Sequence, residues 1–159
     1  MITADDLTFL RRAVDIAATA ITTGDAPYGS LLVGPQGTIL IEAHNTVGRD
    51  NDITAHPELK LARWAARELD PDTAARTIMY TSCQPCGMCS GAIVRSGLGR
   101  VVYALSTEQW DQLNPGSEWP SVPSDGPALF DEARIPIECY YRPQPPSGPS
   151  GEVIDPCCP

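Results

Sequence analysis

Two short segments carry residues that can bind a metal and move a proton. The first is a His-x-Glu triplet, His56 and Glu58, and the second is Cys86-x-x-Cys89, which follows Pro85. An imidazole and two thiols are ligands that zinc prefers, and three protein ligands leave a fourth position open for water. Glu58 is then a carboxylate that need not bind the metal. Metal-activated water beside such a carboxylate predicts a hydrolytic reaction.

The local sequence also predicts how these residues are placed. Cys86 and Cys89 lie at the start of a predicted helix, where a spacing of three residues puts both thiols on one face. The free N–H groups and the helix dipole at that end favour the thiolate, which is the form that binds metal. His56 begins the preceding predicted helix, with Pro57 in its first turn. Glu58 projects about 200° away from His56 around an ideal helix, so we expect it to face the water and the substrate.

A third cysteine leaves an alternative open. Cys83, Cys86 and Cys89 form a Cys-x-x-Cys-x-x-Cys run, which is similar to the beginning of an iron–sulfur motif, but Ala92 stands where the fourth cysteine would be. Together with His56, Cys83 could instead complete a closed Cys₃His zinc site. The protein would then be a non-catalytic, zinc-stabilised interaction module. The position of Cys83 at the end of a predicted strand favours a buried side chain behind the ligands.

Apolar periodicity predicts the elements that carry these residues. Helices are predicted at 4–22, 55–69 and 86–96, a hairpin at 28–34 and 38–44, and strands at 77–82 and 100–105. The signal weakens afterwards, with a short helix expected at 107–113 and a last strand or helix edge at 135–141. Alternating helices and strands after the hairpin predict an α/β fold, with parallel strands between helices on both faces.

Length and composition limit the remaining possibilities. The 159 residues predict one catalytic domain at 1–142 followed by a proline-rich tail at 143–159. A net charge of −9, with Lys60 as the only lysine, argues against a nucleic-acid surface. The sequence has no run of about 18 uncharged apolar residues, so no membrane span is expected. The N-terminal residues do not resemble a signal peptide. We therefore expect a cytoplasmic protein.

The chain has six cysteines. Three of them cluster within seven positions at Cys83, Cys86 and Cys89, and this clustering favours metal binding over structural disulfides. Cys157 and Cys158 in the tail have no predicted role.

With these residues in view, the chain resembles the zinc-dependent cytidine deaminase superfamily, whose signature is His-x-Glu followed by Pro-Cys-x-x-Cys. It is most similar to the branch of guanine deaminases, tRNA adenosine deaminases and fungal cytosine deaminase. Three further segments carry that similarity, namely Pro27-Tyr-Gly-Ser-Leu-Leu-Val33, His44-Asn45 with Asn51-Asp-Ile-Thr-Ala-His56, and Cys89-Ser-Gly-Ala-Ile93. The resemblance covers roughly residues 5–105.

The resemblance implies a fold and a reaction. The fold is a three-layer α-β-α arrangement with a central mixed five-stranded sheet. His56, Cys86 and Cys89 would hold one Zn²⁺, with water as the fourth ligand. Glu58 would take a proton from that water, which attacks the ring carbon bearing the amino group. Glu58 would then protonate a ring nitrogen and the departing amine, and ammonia would leave.

The resemblance also implies a substrate class. The expected substrate is a free nucleobase or related aminated heterocycle, with guanine first and cytosine or isocytosine second, and the expected assembly is a homodimer. The substrate contacts would come from Asn45, the backbone of Ala55 and the carbonyl of Gln84. Apart from the resemblance, Tyr28, Trp110 and Asp111 are weaker candidates: Trp110 could stack on a planar base, or it could pack in the core or at a dimer interface. Two positions depart from the family pattern, because Pro57 replaces an alanine and Gln84 replaces a glutamate that is common in this branch. A tRNA adenosine deaminase is the alternative, which the acidic charge disfavours.

Overall fold

A computed structural model describes residues 2–115 and 122–141 of the chain. The chain divides into two units, 1–117 and 118–159, and each is described by itself. The first unit contains the helices α1 (Ala4–Thr22), α2 (Val47–Asp50), α3 (Pro57–Glu68), α4 (Pro71–Arg76), α5 (Gly87–Arg95) and α6 (Thr107–Leu113), and the strands β1 (Gly29–Val33), β2 (Ile39–His44), β3 (Ile78–Cys83) and β4 (Arg100–Leu105).

The strands form one mixed sheet in the order β2-β1-β3-β4. β1 is antiparallel to both of its neighbours, which confirms the predicted hairpin, and β3 is parallel to β4, as the helix between them predicts. Over the described residues the sheet has four strands, so the expectation of five is wrong. Residues 135–141, for which a last strand or a helix edge is expected, are helical.

Helices cover both faces of this sheet, as predicted. α1 packs its residues Leu10, Ala13 and Ile16 on one face, whereas α3 and α5 cover the other face. Successive side chains of a strand point to opposite faces, so Leu31 contacts the α1 layer and Leu32 contacts the α3 and α5 layer. This double burial explains why β1 is apolar at consecutive positions.

One glycine allows α1 to approach the sheet closely. A Cβ atom on Gly29 would overlap the backbone of Ala13 and Ala17 in α1. Any larger residue would therefore push the helix away from the beginning of β1.

Two helices were not predicted. α2 lies inside the segment expected to be a loop, and α4 follows the predicted helix stop at Asp70-Pro71. Asp70 caps α4 by accepting a hydrogen bond from the backbone N–H of Thr73 at 2.9 Å, and Pro71 is in its first turn. The same two residues thus end one helix and begin the next.

A buried carboxylate joins α1 to the sheet. Asp6 accepts hydrogen bonds from the Tyr80 hydroxyl at 2.7 Å and from Arg100 at 3.0 and 3.2 Å. Burial alone would raise the pKa of Asp6, but the hydrogen bonds from Tyr80, Thr3 and Arg100 outweigh it and hold the pKa well below its usual range. The ionised form of Asp6 therefore stabilises the fold.

The second unit contains the helix α7 (Phe130–Tyr141). Arg134 pairs with Asp131 and Glu138 at spacings of three and four residues, which stabilise a helix rather than a strand. Cys139 is disulfide-bonded, so the expectation against disulfides is wrong for this cysteine. The predicted tail at 143–159, with Cys157 and Cys158, lies outside the described residues, and the domain boundary at 142 stays a prediction.

None of the described helices combines the length and the apolar character needed to cross a membrane.

Candidate metal centre and active site

Two helix N-termini carry the candidate ligands. His56 is the N-cap of α3 and has extended backbone angles, with Pro57 as the first helical residue. Cys86 is the N-cap of α5, and Cys89 lies in its first turn. α3 and α5 pack on the same face of the sheet, so the sequence segments around residues 56 and 86 come together as predicted.

The three side chains form a compact cluster. Nδ1 of His56 lies 3.9 Å from Sγ of Cys86 and 3.6 Å from Sγ of Cys89, and all three ligand atoms lie within 4.8 Å of one another. Zinc–nitrogen and zinc–sulfur bonds at a tetrahedral angle separate the two ligand atoms by about 3.5 Å. The spacing and the donor types therefore fit zinc, and they provide three protein ligands.

Glu58 lies beside this cluster and is buried, with 5% of its surface exposed. Its Oε1 accepts a hydrogen bond from the Thr81 hydroxyl at 3.1 Å, and its Oε2 lies 3.8 Å from Sγ of Cys89. Burial raises the pKa of Glu58 above its usual range, although its own backbone N–H, the Thr81 hydroxyl and His56 act in the opposite direction. A raised pKa makes a carboxyl group a stronger proton acceptor than an ordinary one, which suits a group that accepts and then returns protons.

The buried hydroxyl groups of Ser30 and Thr81 form a hydrogen-bonded chain that orients Glu58. Ser30 in β1 donates to the Thr81 hydroxyl at 2.8 Å, and Thr81 in β3 donates to Glu58. Neither residue is predicted from the sequence. The signal was present, because serine and threonine interrupt two otherwise apolar strands and a buried hydroxyl needs a partner.

Cys83 is not part of the cluster. It is a buried free thiol at the end of β3, and burial raises its pKa. Within the part of the chain that the structure describes, His56, Cys86 and Cys89 form the group of side chains that could hold a metal ion, and Cys83 does not belong to it. This placement favours the open site with three protein ligands.

Asn45 is buried in the turn after β2, with 2% of its surface exposed. Its backbone N–H donates to the carbonyl of Tyr28 at 2.9 Å, and its Oδ1 accepts from the N–H of Val47 at 3.0 Å. The carbonyl of Ala55 accepts from the N–H of Thr46 at 3.1 Å. These bonds place the predicted substrate residues Asn45 and Ala55 on adjoining backbone segments, next to His56.

The remaining predicted residues differ in how the structure places them. Gln84 connects β3 to α6, because its N–H donates to Leu105 at 2.8 Å and its Oε1 accepts from Thr107 at 3.1 Å. Burial raises the pKa of Tyr28, the Trp110 side chain beside its hydroxyl acts in the opposite direction, and the charges of Cys83 and Glu58 add to the increase. Asp111 is exposed on α6. Of the three weaker candidates, Tyr28 and Trp110 are thus brought towards the cluster, and no described contact does this for Asp111.

Comparisons with known proteins agree with this arrangement. Residues 3–105 match the family model described as the cytidine and deoxycytidylate deaminase zinc-binding region. A probable cytosine deaminase of Schizosaccharomyces pombe is 34% identical over 137 residues, which cover 84% of this chain and 81% of the relative. The guanine deaminase of Bacillus subtilis is 41% identical over 98 residues, which cover 61% of this chain and 62% of the relative.

Solved structures extend the similarity to the fold. The X-ray structure of the Bacillus subtilis guanine deaminase superposes with a TM-score of 0.67 at 31% identity, and the match covers 84% of this chain and 91% of that one.

A third sequence relative acts on tRNA by its name. This tRNA-specific adenosine deaminase of Aquifex aeolicus is 34% identical over 96 residues, which cover 60% of this chain and 63% of the relative. The family signature, the ligand cluster and these relatives agree, so the chain belongs to the cytidine and deoxycytidylate deaminase family and is a zinc-dependent deaminase.

Proposed function

We propose that the protein deaminates a free nucleobase or a related aminated heterocycle, with guanine as the first candidate and cytosine or isocytosine as the second. The observation that carries the proposal is the buried carboxyl group of Glu58 beside the cluster of His56, Cys86 and Cys89. The similarity to a guanine deaminase over 84% of the chain supports guanine, and the similarity to a probable cytosine deaminase supports the second candidate.

His56, Cys86 and Cys89 would hold the zinc ion, which supplies an activated water at neutral pH when bound. Glu58 accepts one proton from water and delivers it to a ring nitrogen. It then takes the second proton from the hydroxyl that has added to the ring carbon and delivers it to the departing amino group. Water and the aminated base are consumed, the amino group leaves as ammonia, and a carbonyl replaces it. Thr81 keeps the Glu58 carboxyl group in place by donating to Oε1, whereas Oε2 is the oxygen next to Cys89.

Asn45 would recognise the polar edge of the base. Its Oδ1 already accepts a hydrogen bond from the loop, which leaves the amide NH₂ as the donor towards a ring carbonyl. The backbones of Ala55 and Gln84 would flank the ring and the departing amine. The Trp110 side chain lies near the hydroxyl of Tyr28, and the two rings would form an aromatic wall for a planar base. Asp111 remains a weaker candidate at its edge.

Ammonia release from a panel of bases tests this proposal. Zinc-loaded wild-type protein is incubated with guanine, cytosine, isocytosine and adenine, and is compared with Glu58→Gln. We expect activity on at least one of the first three bases and a loss of about 10³-fold or more in Glu58→Gln, since general acid–base catalysis contributes roughly 10²–10⁴-fold. Glu68→Gln, at the exposed end of the same helix, is the matched control. Equal activity in wild type and Glu58→Gln would contradict the proposed mechanism.

The second candidate is a tRNA adenosine deaminase. The similarity to tRNA-specific adenosine deaminases favours it, whereas the net charge of −9 opposes it. Incubation with a tRNA anticodon stem-loop separates the two candidates. Inosine formation in the stem-loop without activity on free bases would favour the second.

We also propose that the protein acts as a homodimer in the cytoplasm. A groove of about 300 Å³ between α3 and α5 has apolar lining from Leu59, Ala62, Ala66 and Ala92, and three cations, Lys60, Arg63 and Arg95, also line it. Met88 and Val94 of α5 are exposed. Unpaired apolar surface of this kind supports association with a second copy. Sedimentation measures the mass, and cell fractionation measures the location.

A further inference from the structure

Lys60 is the only lysine of the chain, and it is half-buried on α3. Its Nζ donates a hydrogen bond to the carbonyl of His44 at 2.9 Å and a second one to the hydroxyl of Thr46. These two residues are the immediate neighbours of Asn45. Lys60 therefore holds the backbone on both sides of the predicted substrate-binding amide.

The hydroxyl of Thr46 connects the ammonium group to a carboxylate. Thr46 is buried, and while it accepts from Lys60 it donates to Oδ2 of Asp50 at 2.6 Å. A hydroxyl has one proton to donate and lone pairs to accept with, so this arrangement satisfies it fully. The chain from Lys60 through Thr46 to Asp50 has charge-assisted bonds at both ends, which are stronger than bonds between neutral groups.

Lys60 also couples this loop to the metal-binding end of α3. Its backbone N–H donates to the carbonyl of His56 at 3.1 Å, so the two residues lie one turn apart on the helix. The N–H of Thr46 donates to the carbonyl of Ala55, the residue before His56, at 3.1 Å. Two connections thus fix the distance between the loop that carries Asn45 and the helix start that carries His56.

The position of this lysine is unfavourable for a helix. A positive charge in the first turns of a helix is repelled by the macrodipole, and partial burial of an ammonium group costs solvation free energy. The hydrogen bonds to His44 and Thr46 offset that cost. If Lys60 served only the stability of α3, it would be expected near the C-terminal end of the helix, where the macrodipole favours a positive charge.

We propose that Lys60 is a positioning residue that fixes Asn45 relative to the metal centre and thereby sets the affinity for the base. The effect on affinity rests on the proposed function, whereas the effect on the loop does not. Lys60→Met removes the ammonium group and keeps a long side chain, and Lys60→Arg keeps a charged donor. Arg67→Met is the matched control, because Arg67 is an exposed cation on the same helix.

Steady-state kinetics and amide hydrogen exchange of the zinc-loaded proteins test the proposal. In Lys60→Met we expect KM to rise about tenfold or more, because a charged hydrogen bond is lost on each side of Asn45, while kcat and zinc content stay within about twofold. The amides of Asn45 and Thr46 should lose at least about tenfold in protection. Lys60→Arg should recover most of both effects, and Arg67→Met should resemble wild type.

An unchanged KM together with unchanged protection of the two amides would overturn the proposal. Loss of zinc, or a changed oligomeric state without loss of amide protection, would also overturn it, because Lys60 would then act elsewhere. If wild type deaminates no base, the proposed function fails, and the exchange of the two amides still decides whether Lys60 holds the loop. If Lys60→Met does not fold, wild type labelled with ¹⁵N-lysine has one side-chain ammonium signal. A signal as mobile as that of an exposed lysine would contradict the proposal, and a restricted one would support it.

Discussion

Replacement of Cys83 separates an open zinc site from a closed one. In the structure the ligand atoms of His56, Cys86 and Cys89 lie within 4.8 Å of one another, and Cys83 is not part of that group. We therefore expect Cys83→Ser to bind zinc with the same stoichiometry as wild type. Cys86→Ser should lose tight binding, because only two strong protein ligands would remain.

The size of the effect follows from mass action. A metal present at about 100 times its dissociation constant stabilises the folded state by roughly 2.7 kcal/mol. In a unit of this length, about 1 kcal/mol changes Tm by about 4 °C, so removal of zinc should lower Tm of the wild-type protein by about 10 °C. Cys83→Ser should itself cost about 1–2 kcal/mol, since it buries a hydroxyl in place of a thiol. The further decrease on removal of zinc should nevertheless stay near 10 °C.

The assay is thermal unfolding of each variant with zinc and with a chelator, together with the zinc content of the purified protein. Cys86→Ser should begin at the low Tm and show almost no further decrease with the chelator. A Cys83→Ser protein that lacks zinc and no longer responds to the chelator would refute the open site. It would also indicate that four protein ligands hold the metal.

Three other changes probe the supports of the site and of the fold. Thr81→Val removes the donor that holds Glu58, and we expect kcat to fall about tenfold or more with zinc content unchanged. Tyr80→Phe removes a donor to the buried carboxylate of Asp6 and should cost about 1.5–3 kcal/mol in the free energy of unfolding. Because the folded-state pKa of Asp6 is held well below its usual range, that contribution is full above the unfolded pKa of about 3.9 and is lost only as pH falls through the folded-state pKa. Urea unfolding at pH 7 and pH 3 should therefore show a clear difference between the proteins at pH 7, most of which is still present at pH 3. Gly99→Ala would place a Cβ on a backbone carbonyl of α4, and its Tm should decrease by several degrees, since a misplaced backbone contact costs more than 1 kcal/mol.

Local sequence patterns predicted most of the elements. The apolar period of α1 and the proline in the first turn of α3 depend on neighbours within one or two turns, so the sequence contains them directly. α7 was the ambiguous element, because Pro136 interrupts its helical pattern. The number of strands was inherited from a family resemblance rather than from a pattern in the chain, and the described residues correct it.

The candidate site also contains some residues that local sequence patterns predict and others that only the tertiary structure reveals. His56, Cys86 and Cys89 were predicted because each stands at a helix start that its own segment specifies, and their chemistry is a property of the residue types. The hydroxyl chain from Ser30 to Thr81 joins residues 51 positions apart, on two strands whose pairing is a tertiary event. No local pattern indicates which buried hydroxyls will meet.

The sequence by itself determined the reaction class, since three zinc ligands and one carboxyl group occur in short motifs with a fixed local geometry. The tertiary structure alone decided that Cys83 stays outside the ligand cluster. It also decided that Thr81 supports Glu58, and that Lys60 holds the loop of Asn45. These three facts depend on distances between segments that are remote in the chain, and such distances are set when α3, α5 and the strands pack together.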